Sequence, residues 1–163
     1  ALLIGEDIEG DWELQVEDRA RIDTGTLESW RLELFTAGQE AVSATQEEAQ
    51  AIPDNRVPGV RSELEIADSG AIGRIEVSVD ITHTFIGDLQ VRLRSPQGTD
   101  VLLHNRSGGS ADNIIRGYSS NDTPALAALN GEPFQGTWTL EVSDSMSFDT
   151  GKLNRWGIRI VRA

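Results

Sequence analysis

The feature that most constrains this chain is a period of two. SELEIAD, GRIEVSVDITH, DLQVRLRS, TDVLLHN, TWTLEV and WGIRIV all alternate apolar with polar residues. Such alternation places one set of side chains on a buried face and the other in water, which is the pattern of a half-buried β-strand. In GRIEVSVDI the inner row is Ile75, Val77, Val79 and Ile81. In DLQVRLRS it is Leu89, Val91 and Leu93, and in the last strand Ile158 and Ile160. SPQG (residues 95–98) reads as a turn, with Pro fixing φ and Gly supplying a positive φ. Residues 107–135 read as loop with one short apolar stretch, PALAALN. No segment keeps a helical period for three turns. The expected fold class is all-β, a jelly-roll-like β-sandwich.

A second constraint is an internal repeat. Residues 1–37 align without gaps on residues 127–163 with identity at 15 of 37 positions, including both tryptophan pairs (Trp12 with Trp138, Trp30 with Trp156) and two aspartate pairs (Asp18 with Asp144, Asp23 with Asp149). Nothing before Ala1 corresponds to residues 51–126, so the repeat covers one end of a domain only. Residues 1–37 are therefore expected to be the C-terminal fragment of a preceding repeat, its last two strands. The stretch GQEAVSATQEEAQ (residues 38–50) reads as a linker, with room for a short helical turn. Residues 51–163 are expected to be a complete domain. Two strands with inner residues Trp12, Leu14, Val16, Trp30, Leu32 and Leu34 are not stable alone. They are expected to pack on the complete domain or to self-associate with another copy of the chain. The first residue is Ala, and the chain reads as a slice of a longer precursor.

Composition narrows the partners. Asp plus Glu total 27 against 14 Lys plus Arg, a net charge of −13. Such a surface repels nucleic acid and anionic membranes, so no nucleic-acid partner is expected. No run of eighteen apolar residues exists, and no membrane insertion is expected. The chain has no cysteine, which removes disulfides, zinc–thiolate sites and cysteine nucleophiles.

HTFIGDLQVRLRSPQGT, followed by GTWTLEVSD and DTGKLNRW, resembles the P domain of proprotein convertases, the β-sandwich that follows the subtilisin-like catalytic domain in kexin- and furin-type proteases. The residues that carry the resemblance are Thr82, His83, Gly87, Asp88, Leu89, Ser95, Pro96, Gly98 and Thr99, then Gly136, Thr137, Trp138, Leu140, Val142 and Asp144, then Asp149, Gly151, Leu153 and Trp156. It runs from about Ile52 to Val161. Ile86-Gly87-Asp88 stands where animal convertases often have Arg-Gly-Asp, so no adhesion motif is carried over. That departure and the lack of cysteine point to a bacterial, secreted member.

The resemblance implies a non-catalytic domain that stabilises or regulates the catalytic domain of a secreted subtilisin-like serine protease. The residues agree, since no nucleophile elbow, zinc-binding helix or subtilisin serine motif is present, and no catalytic residue is assigned. His83 and His104 are the only histidines, and each is expected to make structural hydrogen bonds at a strand end. Trp138 and Trp156 are expected in the core. Asp88, Asp112, Asp144 and Asp149 lie in or beside loops and are candidate calcium ligands, because calcium takes several loop carboxylates. The competing reading has Asp88 and Asp144 capping turns. The alternative function is a jelly-roll module tethering a secreted hydrolase to a polymer, glycan or cell surface. Tyr118 and Phe148 are its best exposed aromatic candidates.

Overall fold

The computed structural model describes residues 11–19, 25–27, 41–120 and 122–163. The chain divides into two units, Ala1–Gln39 and Glu40–Ala163. Among its described residues the second holds nine strands: β1 (Ala41–Gln46), β2 (Gln50–Ile52), β3 (Arg56–Ile66), β4 (Ile72–His83), β5 (Leu89–Arg94), β6 (Asp100–Asn105), β7 (Ile114–Ser119), β8 (Gly136–Asp144) and β9 (Gly151–Arg162). Two short 3-10 turns, Ile86–Asp88 and Pro124–Leu129, are its described helical elements.

The strands form two antiparallel sheets. One runs β1-β9-β4-β7, with β2 also on β9, and the other runs β3-β8-β5-β6. The alternating rows face each other between them. Ile75, Val77, Val79 and Ile81 from the first sheet, and Leu89, Val91 and Leu93 from the second, are buried as their period demands. The all-β sandwich follows from that pairing of apolar faces.

The last two strands occupy the centres of the two sheets. β8 lies between β3 and β5, and β9 lies between β4 and the β1–β2 edge. Their tryptophans are the largest buried side chains, both in the core. The indole Nε1–H of Trp138 donates to the Phe134 carbonyl at 2.9 Å. That of Trp156 crosses the sandwich to Ser62 Oγ, also at 2.9 Å. Each ring thus buries its apolar body and pairs its one polar atom. The SPQG turn forms as the residues require: Gly98 has φ of 91° and its N–H donates to the Ser95 carbonyl at 2.9 Å.

Two stretches differ from the sequence reading. Residues 41–46, inside the expected linker, are an edge strand in register with β9 from Ala41↔Val161 to Gln46↔Trp156. AVSATQ is polar on one face, yet Val42 and Ala44 pack against the core. An edge strand needs only that one apolar row, which a linker-like composition hides. Residues 114–119, within the expected loop, form edge strand β7 on β4.

In the first unit, residues 11–19 carry no strand pairing. Trp12, Leu14, Val16 and Leu27 are exposed. Trp30, Leu32 and Leu34 lie outside the described residues.

Candidate functional site

Strand register assembles one end of the sandwich. His83, the last residue of β4, pairs with Gly151, the first of β9. Leu89, the first of β5, pairs with Asp144, the last of β8. The 3-10 turn Ile86–Asp88, the 105–113 loop and the 145–150 loop therefore meet at the same end. Backbone bonds stitch them together: Ile86 N–H donates to Ala111 at 3.0 Å and Gly87 N–H to Gly109 at 2.9 Å.

At the centre is a fully buried pair. His83 Nε2 lies 3.2 Å from Asp144 Oδ2, and both side chains are 0% exposed. Asp144 Oδ1 accepts the Met146 N–H at 3.0 Å. With Nε2–H donated to Asp144, His83 Nδ1 accepts the Phe85 N–H at 3.1 Å. The same nitrogen is 3.1 Å from the Phe85 carbonyl, so the opposite tautomer has a partner too. Asn113 ties the backbone of His83 down from its other edge, accepting its N–H at 3.0 Å and donating its own N–H to the His83 carbonyl at 3.0 Å. His104 Nε2 bonds the Ile86 carbonyl at 2.9 Å, and Ser107 Oγ reaches His104 Nδ1 at 3.3 Å. Both histidines stand at strand ends and hold loops in place. Gly151 is required here by close approach: a Cβ would lie 2.3 Å from the Thr82 carbonyl and 2.5 Å from His83 Cδ2.

Three of the four candidate aspartates act on one another. Asp88 is buried, which pushes its carboxyl above the usual carboxylate range, and the negative charges of Asp144 and Asp149 push it further. His83 and Arg106 oppose that shift. Asp149 accepts a hydrogen bond from Thr84 Oγ1 at 2.7 Å. Asp112 is exposed on the neighbouring loop. These are oxygen donors of the type calcium takes. Among the described residues, however, no three or more acidic or histidine side chains are grouped so as to hold a metal ion. Asp144 already uses both oxygens, one of them on a backbone N–H in the turn-capping role weighed from sequence.

Beside the buried pair, the 145–150 loop shows apolar side chains to solvent. Met146 is 55% exposed and Phe148 95% exposed. Phe148 also has φ of 92°, a left-handed conformation that is an outlier for so bulky a residue. Its N–H reaches Asp54 Oδ2 at 3.3 Å. Phe148 is thus an exposed aromatic, as expected. Tyr118 is not: β7 places it opposite Val77 on the inner face, where it is 1% exposed. The Arg116 guanidinium covers its ring, 4.5 Å from the centroid. Sequence reading missed this because β7 was read as loop.

A cleft of about 340 Å³ lies elsewhere, lined by Thr45, Ser78, Asp80, Ile115, Arg155 and other residues. Its one lining aromatic, Trp156, is buried. Asp80 is engaged by Asn154 Nδ2 at 2.9 Å and by Arg155 at 3.5 Å. This is not the row of exposed rings that a glycan platform requires.

Comparison with known proteins agrees with this architecture. The family profile described as proprotein convertase P-domain matches residues 2–34 and 72–160. The calcium-dependent protease of Trichormus variabilis is 46% identical over 114 residues, covering 68% of this chain and 17% of that protein. Leupeptin-inactivating enzyme 1 of Streptomyces exfoliatus is 40% identical over 111 residues, covering 66% of this chain and 23% of that protein. The chain thus spans less than a quarter of the length of these relatives. Among solved structures, the serine protease of Aeromonas sobria in complex with its chaperone shares the fold, with a TM-score of 0.59 and 23% identity over 76% of this chain and 27% of that one. With the family profile matched over residues 2–34 and 72–160, and with His83, Asp88, Asp144, Asp149 and Gly151 among the motif residues gathered at one end of the sandwich, this chain belongs to the proprotein convertase P-domain family.

Proposed function

We propose that the chain is a non-catalytic P domain appended to a secreted bacterial serine protease, and that it stabilises or regulates the catalytic domain. The observation that carries this reading is the 145–150 loop. Phe148 combines near-complete exposure with a left-handed backbone. Strain of this kind costs on the order of 1–3 kcal/mol and persists where surrounding structure imposes it. Here it holds an aromatic ring out in water beside Met146, which suits contact with an attached domain rather than solubility. Apolar contact of that sort shifts the folding equilibrium of the attached partner. The buried His83–Asp144 pair supports the same reading, since it is closed to any substrate and serves the loop that presents Phe148.

The test uses the full-length parent protease carrying Phe148→Ser. Its caseinolytic activity should decay faster on heating, while the 163-residue chain with the same substitution melts as the unsubstituted chain does. Equal decay rates would move the assignment to a binding module, for which a polymer and glycan panel is the next experiment.

Calcium at this end of the sandwich is a second reading, favoured by the crowding of Asp144 and Asp149 on Asp88 and by relatives named calcium-dependent protease. A bound cation would relieve that crowding, with Asp112 positioned on the adjoining loop. Thermal midpoints measured in calcium and in chelator decide it, and identical midpoints end the idea.

A further inference from the structure

PALAALNGEP (residues 124–133) holds the one asparagine of this chain that is followed by glycine. Asparagine is a chemically labile residue, because its side-chain amide and the next backbone nitrogen can close a five-membered imide. Glycine, with no Cβ, hinders that closure least. The structure puts the pair at the corner of a type II turn. Asn130 has φ of −62° and ψ of 132°, Gly131 has φ of 82°, and the Glu132 N–H donates to the Leu129 carbonyl at 3.1 Å. Both residues are exposed, so water and hydroxide reach them.

Two features hold the reaction off. Ring closure needs the Gly131 nitrogen beside the Asn130 Cβ, which takes a negative ψ at Asn130, and the turn imposes a positive one. The same nitrogen donates its N–H to the Ile72 carbonyl at 2.7 Å, while the Ile72 N–H donates to the Glu132 carbonyl at 3.0 Å. Buried Leu126 and Leu129 anchor the 3-10 turn just before the pair. Just after it, the Glu132 carboxylate accepts from Ser95 Oγ at 2.8 Å and from Thr99 Oγ1. Glu132 thereby clamps this segment to the SPQG turn.

We propose that Asn130–Gly131 is a spontaneous deamidation site that the folded domain keeps closed, and that its product releases the Glu132 clamp. When residues 130–132 open, the Gly131 nitrogen attacks Asn130 Cγ. The N–Cγ bond forms, the Cγ–Nδ2 bond breaks, and ammonia leaves with the proton from Gly131. Water then splits one of the two imide C–N bonds. Splitting at Cγ gives aspartate, and splitting at the main-chain carbonyl gives isoaspartate. Isoaspartate lengthens the main chain by one methylene, which misaligns the turn with its two bonds to Ile72. Glu132 then no longer meets Ser95 and Thr99, so a reversible local opening becomes permanent. The proposal is independent of the accessory role.

Peptide mapping by mass spectrometry, with isoaspartate scored by enzymatic methylation, tests this on the 163-residue chain in mildly alkaline buffer. Deamidation at residue 130 should run at least about 10-fold faster in the guanidinium-unfolded chain than in the folded one. Ser95→Ala removes one tie on Glu132 and should speed the folded chain's reaction several-fold. Thr99→Val serves the same purpose should Ser95→Ala fail to fold. Gly151→Ala weakens the opposite end of the sandwich and should leave the rate at residue 130 unchanged. The aged chain should melt lower than the fresh one, and Asn130→Ser, which has no amide to lose, should keep its midpoint. Equal rates in folded and unfolded chain would overturn the proposal. So would equal acceleration by Ser95→Ala and Gly151→Ala, or an aged chain that melts as the fresh one does.

Discussion

Replacing Asp144 should separate the two roles of its carboxylate. Asp144→Ala removes both acceptors at once, leaving the His83 Nε2–H and the Met146 N–H to find others. The histidine end is sealed, with both side chains 0% exposed, so no water replaces the lost partner. An unsatisfied buried donor costs about 1–3 kcal/mol, and one that had a charged acceptor lies at the upper end. Met146 lies in an exposed loop, where solvent can substitute, so its N–H adds about 1 kcal/mol at most. The expected loss is about 3–4 kcal/mol, which for a domain of this size lowers Tm by roughly 10–20 °C.

Asp144→Asn should behave differently. Its oxygen still accepts the Met146 N–H, and its amide donates to Nε2 if the imidazole moves its proton to Nδ1. The Phe85 carbonyl, 3.1 Å from Nδ1, is in place to accept it. The Asn variant should therefore lose only about 1 kcal/mol. Urea unfolding followed by tryptophan fluorescence reads both variants, since Trp138 and Trp156 report on the core. An Ala variant within 1 kcal/mol of the unsubstituted chain, or an Asn variant as damaged as the Ala variant, would refute the argument that paired donors hold this loop cluster.

Two further substitutions follow from the same end of the sandwich. Asp88 has its folded-state pKa raised above the ordinary 3.8, so the folded state keeps a proton that the unfolded state has lost. Its contribution to stability therefore falls as pH rises from 3.8 through the raised value, and is least favourable above it. Asp88→Asn should be more stable than the unsubstituted chain at pH 7, with the advantage shrinking as pH falls through the raised value towards 3.8; thermal melts from pH 7 down to that point check it, and a constant difference would contradict the assigned cause. Gly151→Ala should cost about 1–3 kcal/mol in urea unfolding, because the new methyl meets the Thr82 carbonyl and the His83 ring. A neutral effect would mean the β4–β9 pairing relaxes there.

The candidate site was legible in part. Asp88, Asp144 and Asp149 sit at strand ends in the sequence pattern, and the sandwich brings those ends together. The His83–Asp144 pair was not legible, since 61 residues separate the two and only the register of β4 on β9 and β5 on β8 makes them neighbours. Asn113 was missed for a similar reason: its role is to continue the edge of β4 past the end of β7, which no local spacing encodes. Phe148 could be read as exposed because it lies between two strands whose inner rows are already full. Tyr118 was misread because its strand is short, lies at an edge and contains Gly117, so the alternation is too brief to stand out from a loop.

The sequence by itself determined the alternation of faces, hence the all-β class, the inner rows of β4, β5, β8 and β9, the SPQG turn, and the repeat of the 127–163 sequence in residues 1–37. These are local properties: a side chain's face follows from the parity of its position once the backbone is extended. Tertiary structure alone decided which strands are edges and which are central. It placed β8 and β9 at the middle of their sheets, recruited residues 41–46 as an edge strand, and closed the loops around a dry histidine–aspartate pair. Those outcomes depend on pairing partners distant in the chain, and pairing is chosen by the fit of whole faces rather than by any one segment.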